Sequence, residues 1–250
     1  MRAIRNADAK AKGYFALFIT STVWGTTWVA SKVAISEMPA LQMAYVRQFI
    51  AGICFVGFYI GVRKFSFPSI RQLRWLTVMA ILMFVLANGL STWSLKYIPT
   101  GLSALIGALY PLSVVIIERV FFRSARMTIL TFLGLFLGIT GVGIVFYENA
   151  FNNISSSFFI GLSLSVIAML SWSFGTVFIS RNKANINPYY GTGWQMLISS
   201  VILFFVAEST QATVSLTHIS LKVWLMIFYL VIFGSIISFV AFIYTMKKLP

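Results

Sequence analysis

Metal-dependent chemistry needs clustered His, Cys, Asp or Glu. This chain of 250 residues has one histidine, His218, one cysteine, Cys54, and five acids. Nucleophilic catalysis inside a membrane needs an in-span base beside a Ser or Cys, but His218 falls in the loop 208–221 and Lys32 at the end of a span. Magnesium-assisted group transfer needs acidic pairs, and none occur. No metal or cofactor is therefore expected, and no enzymatic activity. What recurs at three- and four-residue spacing is a set of hydroxyls, amides and aromatic rings.

Thr20, Trp24, Thr27 and Ser31 are spaced so that on a helix they share one face. The same holds for Asn88, Ser91 and Thr92, and for Ser103, Gly107 and Tyr110. It holds again for Ser173, Thr176 and Ser180, with Trp172 adjacent, and for Ser235 and Ser238, with Thr245 nearby. Five such faces suit a mildly polar, aromatic-edged lining for an amphipathic or zwitterionic small-molecule solute. The candidates for that lining are Trp24, Thr27, Ser31, Asn88, Thr92, Tyr110, Trp172, Thr176 and Ser235. Helix packing is the competing reading, because small and hydroxyl side chains also join membrane helices.

Three charged residues join them as candidates, each with two open readings. Arg47 lies about 9 Å along an apolar stretch at 1.5 Å per residue; it either binds a solute carboxylate or locks helices by bonding backbone carbonyls. Lys32, at the end of the first polar face, either attracts an anionic group or snorkels to the interface. Glu118 is either an interfacial ion-pair residue or a gate and proton relay. Gln48 and Gln195 are expected in interhelical hydrogen bonds. No acid falls in the middle of an apolar stretch, so proton coupling is carried by Glu118, is carried by the segment expected beyond Pro250, or is absent.

The elements that must hold these residues are membrane helices. Apolar residues make up 59% of the chain and charged residues 10%, with a mean hydropathy of +0.91. A water-soluble fold has no interior large enough for that surface. A helix needs about 20 apolar residues to cross the hydrocarbon. Stretches 14–35, 41–62, 75–95, 101–122, 127–147, 158–180, 190–207 and 222–246 meet that need, and none alternates like a barrel strand.

With eight spans, fifteen basic residues fall on one side, among them Arg63, Arg119, Arg123, Arg126, Arg181 and Lys183. Only Lys32, Lys96 and Lys222 fall on the other. The positive-inside rule then puts residues 1–12, a basic tail, in the cytoplasm of a multi-pass protein of the inner or plasma membrane. The net charge of +14 is thereby a topology signal, and the expected partner is the lipid bilayer, with no nucleic acid.

The chain repeats itself. Gly25-Thr26 matches Gly175-Thr176, Pro39 matches Pro188, Gln48 matches Gln195, and Lys96 and Pro99 match Lys247 and Pro250. The unit has five spans, residues 13–149, and a second, shorter copy occupies 157–250 with three. An odd number of spans inverts one copy against the other, an arrangement that gives carriers two gates around one site. In the first copy two more spans follow Pro99, so the sequence is expected to continue beyond Pro250 by roughly 50 residues, to ten spans. Gly134 and Gly138, and Gly57 and Gly61, are spaced for close helix contact. Pro111 is expected to kink its span.

"WGTTWVASK" in the first span, Arg47 in the second, "YIPTGLSALIGALYPLSVVIIER" across the fourth and "LGLFLGITGVGIVF" in the fifth resemble the EamA branch of the drug/metabolite transporter superfamily. The resemblance runs through the whole chain. It departs at "VVIIERV", which lacks a glycine before Glu118, and at spans 9 and 10. It implies an all-helical bundle of inverted 5+5 repeats and a carrier or exporter of small metabolites, amino acids or drugs. It also implies a cavity lined by spans 1, 3, 4, 6, 8 and 9, and alternating access. It names no solute. The remaining alternative is a membrane assembly or structural protein.

Overall fold

The computed structural model describes residues 2–122, 129–150, 155–181, 185–210 and 213–249. Arg123, Arg126, Lys183 and Pro250 lie outside the described residues, as do the side chains of Arg2 and Arg5. Every regular element among the described residues is helical. In chain order these are α1 (Arg2–Ala34), α2 (Ala40–Gly61), α3 (Ile70–Ala80), α4 (Leu90–Ser94), α5 (Thr100–Ala108), α6 (Tyr110–Phe122) and α7 (Ile129–Ala150). They continue with α8 (Ser156–Arg181), α9 (Pro188–Ser209), α10 (Leu221–Tyr229) and α11 (Ser238–Lys248). A π-helical stretch, Ile81–Gly89, joins α3 to α4, and a second, Leu230–Ile237, joins α10 to α11.

Helix starts follow local chemistry. Pro39 and Pro99 precede α2 and α5, where a missing N–H costs nothing. Asn187 caps α9 by accepting from the N–H groups of Tyr189 and Tyr190 at 3.0 and 3.3 Å. Ser220 caps α10 through the N–H of Val223. Pro111 has its expected effect: its ring offers no N–H to Gly107, and the span breaks between α5 and α6 at Leu109.

Six helical runs among the described residues are long and apolar enough to cross a membrane: 40–61, 70–94, 100–122, 156–181, 188–209 and 221–248. The protein is a polytopic helical membrane bundle. Helix α1 covers the expected first span but is not among the six, because Thr20, Ser21, Thr22, Thr26 and Thr27 dilute its apolar surface. Helix α7 covers the fifth, and several of its side chains lie outside the described residues.

Two compact units form, and each draws on both sequence repeats. One comprises residues 1–76 and 186–250, the other 77–185. In the first, α2 packs along α9, and α1 packs against α10, the second π-helical stretch and α11. The α2–α9 seam is tight: a Cβ on Gly193 would lie 2.6 Å from Cβ of Phe55, and one on Gly52 would lie 2.8 Å from Leu197. In the second unit α8 packs against the first π-helical stretch, α4, α5 and α6. Its core joins Ile98, Leu102, Ile106 and Phe158.

The expectation for Gly57 and Gly61 is corrected here, whereas Gly134 and Gly138 lie on the face of the fifth span whose expected partner is span 10. Gly57, Gly61, Gly134 and Gly138 have open space where a Cβ would stand, whereas Gly52, Gly161, Gly175, Gly193 and Gly234 are the ones approached closely. Four-residue spacing marks a smooth helix face; it does not say which face meets a neighbour.

Candidate functional site

In the first unit the chemistry collects where α1 meets the second π-helical stretch. A π-helix hydrogen-bonds one residue further along than an α-helix, which widens the turn and perturbs the ladder; such segments cluster at functional sites. Trp24 Nε1 donates to the Gly234 carbonyl within that stretch at 3.2 Å. Gly234 is needed because a Cβ would stand 2.9 Å from Thr27 Cγ2. The Trp24 ring lies against Phe239 and Phe242, with centroids 5.5 and 5.3 Å away. Thr26 Oγ1 and Tyr229 Oη are hydrogen-bonded at 2.6 Å. Ser238 donates to the Phe233 carbonyl five residues back. Ser235 is buried and its Oγ has no hydrogen-bond partner. Trp24, Thr27 and the stretch carrying Ser235 are thus brought together, and Ser31 is buried further along α1.

The second unit holds a cluster of its own. Tyr110 Oη donates to Thr176 Oγ1 at 3.3 Å, and its ring meets Trp172 edge-on at 6.5 Å. The predicted residues Tyr110, Trp172 and Thr176 therefore meet between α6 and α8. Asn88 stands in the first π-helical stretch, where its carbonyl accepts from Ser91 Oγ and Thr92 Oγ1 at 3.0 and 2.8 Å. Gly175 faces Met83 of the same stretch, with 2.6 Å from a would-be Cβ to Met83 Cγ.

Sequence reasoning missed the ring of hydroxyls that joins Ser94, Ser103 and Ser165, each pair at 2.9 Å and all buried. Ser113 and Ser173 form a further pair between α6 and α8. The signal for these was three-residue spacing, as from Ser91 to Ser94, but a hydroxyl's partner on another helix is not written in its own.

Glu118 pairs with Arg181 at 3.5 Å, and the Arg181 guanidinium also lies 4.0 Å over the Phe122 ring. Lys32 is exposed in the last turn of α1. Arg47 is buried on α2. At the end of the first unit that the charge pattern assigns to the outside, two polar clips were not anticipated. Glu37 accepts from the N–H and Oγ of Ser220, both at 2.8 Å. These two hydrogen bonds, chiefly the backbone one, hold its carboxyl below the ordinary value, and Lys222 adds to the effect. Gln42 donates to the Val214 carbonyl and accepts from the Val214 N–H, at 2.7 and 2.8 Å.

The sequence profile described as the EamA-like transporter family matches residues 11–147 and 159–250. The chain belongs to that family. The two matched segments fall close to the two repeats. A protein of Escherichia coli K12 described as an uncharacterized inner membrane transporter, YedA, is 30% identical over 93% of this chain and 74% of its own length. An uncharacterized transporter of Bacillus subtilis, YoaV, is 26% identical over 82% of this chain and 70% of its own. A solved crystal structure shares the fold with a TM-score of 0.69, covering 97% of this chain and 80% of the other at 19% identity. The EamA-family chain is a membrane transporter, and family membership directs its chemistry to moving a solute.

Proposed function

We propose that the protein is a secondary carrier of small amphipathic metabolites working by alternating access between inverted five-span repeats. One observation carries the reading. The two π-helical stretches begin at Ile81 and Leu230, 149 residues apart, the separation of Pro39 and Pro188 in the sequence repeat. Each stretch puts polar groups in mid-helix, Asn88 in one and Ser235 in the other. Discontinuous helices in corresponding positions of two halves are where carriers bind their solutes. The Trp24–Thr27–Gly234 cluster and the Tyr110–Trp172–Thr176 cluster are the solute-contacting surfaces of their respective units. The bacterial inner membrane is the location that the E. coli relative suggests, with the N-terminus cytoplasmic by the charge pattern.

Counterflow of labelled amino acids, nucleosides and cationic drugs in vesicles tests this. Saturable flux of at least one class, reduced by Trp24→Ala and by Tyr110→Phe in correctly inserted protein, is the expected result. Absence of flux for every class would favour the assembly role instead.

A further inference from the structure

At the end of the first unit that the charge pattern assigns to the cytoplasm, α2 and α11 finish and α9 begins, and α9 packs against both. Each helix brings a half-buried tyrosine to that end: Tyr59, Tyr189 and Tyr244. The Tyr189 phenol lies within electrostatic reach of the phenols of Tyr59 and Tyr244, so the three are gathered in one place. Cations stand over or beside these rings. Lys247 Nζ is 4.4 Å above the Tyr189 ring, and Lys248 Nζ is 5.9 Å above that of Tyr244. Arg63 lies within reach of the Tyr59 phenol and leans over Phe58 at 5.8 Å.

The chemistry of this cluster is one-sided. Among the described residues no carboxylate pairs with Arg63, Lys247 or Lys248, and no hydrogen bond reaches the hydroxyl of Tyr59, Tyr189 or Tyr244. Neighbouring Tyr190 shows the contrast, since its Oη donates to the Ser66 carbonyl at 3.1 Å. Glu37 and Glu208 lie at the opposite end of the unit, and Glu118 belongs to the other unit; the side chains of Asp8 and Glu148 lie outside the described residues. A ring face fixes a cation without using up its N–H donors. The cluster therefore presents N–H and O–H donors under a positive charge, and its complement is an anion with several acceptor oxygens.

Spacing sets the depth. The last turn of α2 runs on to Arg63, whose N–H donates to the Phe58 carbonyl at 3.3 Å. Tyr59 and Arg63 are thus one turn apart, as are Tyr244 and Lys248 on α11, and each cation stands about 6 Å nearer the cytoplasm than its tyrosine. The polar interface of a bilayer is about 5–8 Å deep on each side of the hydrocarbon. Cations at the level of the phosphates put the phenols at the level of the ester groups. Phe58 and Val62, on the adjoining face of α2, are 46 and 67% exposed, where an acyl chain would cover them. A dissolved phosphate would leave the phenols and these apolar side chains unused.

We infer that the ends of α2, α9 and α11 form a site for the headgroup of an anionic phospholipid of the cytoplasmic leaflet, with Arg63, Lys247 and Lys248 on the phosphate and Tyr59 and Tyr244 on the oxygens below it. Basic pockets between membrane helices on the cytoplasmic side hold such headgroups. Helix α2 comes from one sequence repeat and α9 and α11 from the other, so a bound lipid ties the repeats together within this unit. The site does not depend on the carrier reading.

The test uses the purified chain in phosphatidylcholine nanodiscs, with phosphatidylglycerol added in increasing proportion. Melting temperature reads binding, since a ligand of the folded state raises it by mass action, and native mass spectrometry counts the retained lipid. A saturable rise with phosphatidylglycerol is expected, and none with inorganic phosphate or glycerol phosphate. Lys247→Gln with Lys248→Gln should weaken the affinity by about 10- to 30-fold, and Tyr59→Phe by about 2- to 10-fold. Arg71→Gln with Arg74→Gln removes as much charge from α3, where among the described residues no contact reaches the phenols, and should leave most of the affinity in place. Equal losses from the two pairs would mean a diffuse positive surface and overturn the site. Equal stabilisation by inorganic phosphate would overturn the lipid as its occupant, and a rise that does not saturate, or no rise, overturns the inference outright.

Discussion

Replacing Gly234 by alanine should cost the first unit a measurable part of its stability, and a second substitution should return it. The new Cβ would stand 2.9 Å from Thr27 Cγ2, and its next neighbours are 3.7 and 3.8 Å away. The clash is therefore with one methyl group. That methyl cannot rotate away freely, because Thr27 Oγ1 is held by the Trp24 carbonyl at 2.7 Å. Forcing an extra methyl into a packed contact costs about 1–3 kcal/mol, or about 5- to 150-fold in the unfolding constant. Thr27→Ser removes Cγ2 and keeps the hydroxyl; alone it should cost about 1 kcal/mol or less. The double variant should then regain most of the loss, giving a coupling energy of about 1–2 kcal/mol. Equilibrium unfolding in mixed micelles, followed by tryptophan fluorescence, measures all four corners of the cycle. If Gly234→Ala matches the parent, or if its loss is the same with Ser at position 27, the account of why α1 meets a glycine is wrong.

Three further outcomes follow from the polar contacts. Glu37 has a folded-state carboxyl pKa below its ordinary 4.5, so its clip contributes fully above that value and is lost as pH falls through the depressed one; Glu37→Gln should flatten this acid limb in pH-dependent melting and lower stability at neutral pH toward the level the parent reaches once Glu37 is protonated. Ser165→Ala removes one of three hydroxyls but leaves Ser94 bonded to Ser103, so denaturation should report a loss of only about 0.5–1.5 kcal/mol. Glu118→Gln breaks an ion pair whose side chains are 28 and 36% exposed; screening limits the stability effect to about 1 kcal/mol or less, and a larger loss would show that the pair has partners beyond Arg181.

The composition and charge pattern made the membrane bundle legible, because apolar stretches of span length leave few alternatives. The proline positions and the Pro111 break were legible for the same local reason: a missing N–H acts within its own helix. Tyr110, Trp172 and Thr176 were readable as candidates, since three- and four-residue spacing reports a shared helix face. Their pairing was not, because it depends on which faces meet. The second-span glycines show the same limit, with Gly57 and Gly61 open and Gly193, in no such pair, tightly packed. The π-helical stretches were illegible for another reason. Face analysis assumes 3.6 residues per turn throughout, and nothing in Ile81–Gly89 or Leu230–Ile237 announces a wider turn.

Those two stretches also give the chain slack in its length. Hydrogen bonds that reach five residues instead of four accommodate one residue more than the flanking helices require. Deleting one residue inside Leu230–Ile237 would let the stretch tighten to an ordinary helix while α10 and α11 keep their outward and inward registers. The same deletion inside α9, which has no such reserve, would rotate every later side chain away from α2. Single-residue deletions scanned along the chain should therefore be tolerated in two narrow windows, and a drift of one residue in length between relatives would be absorbed there first.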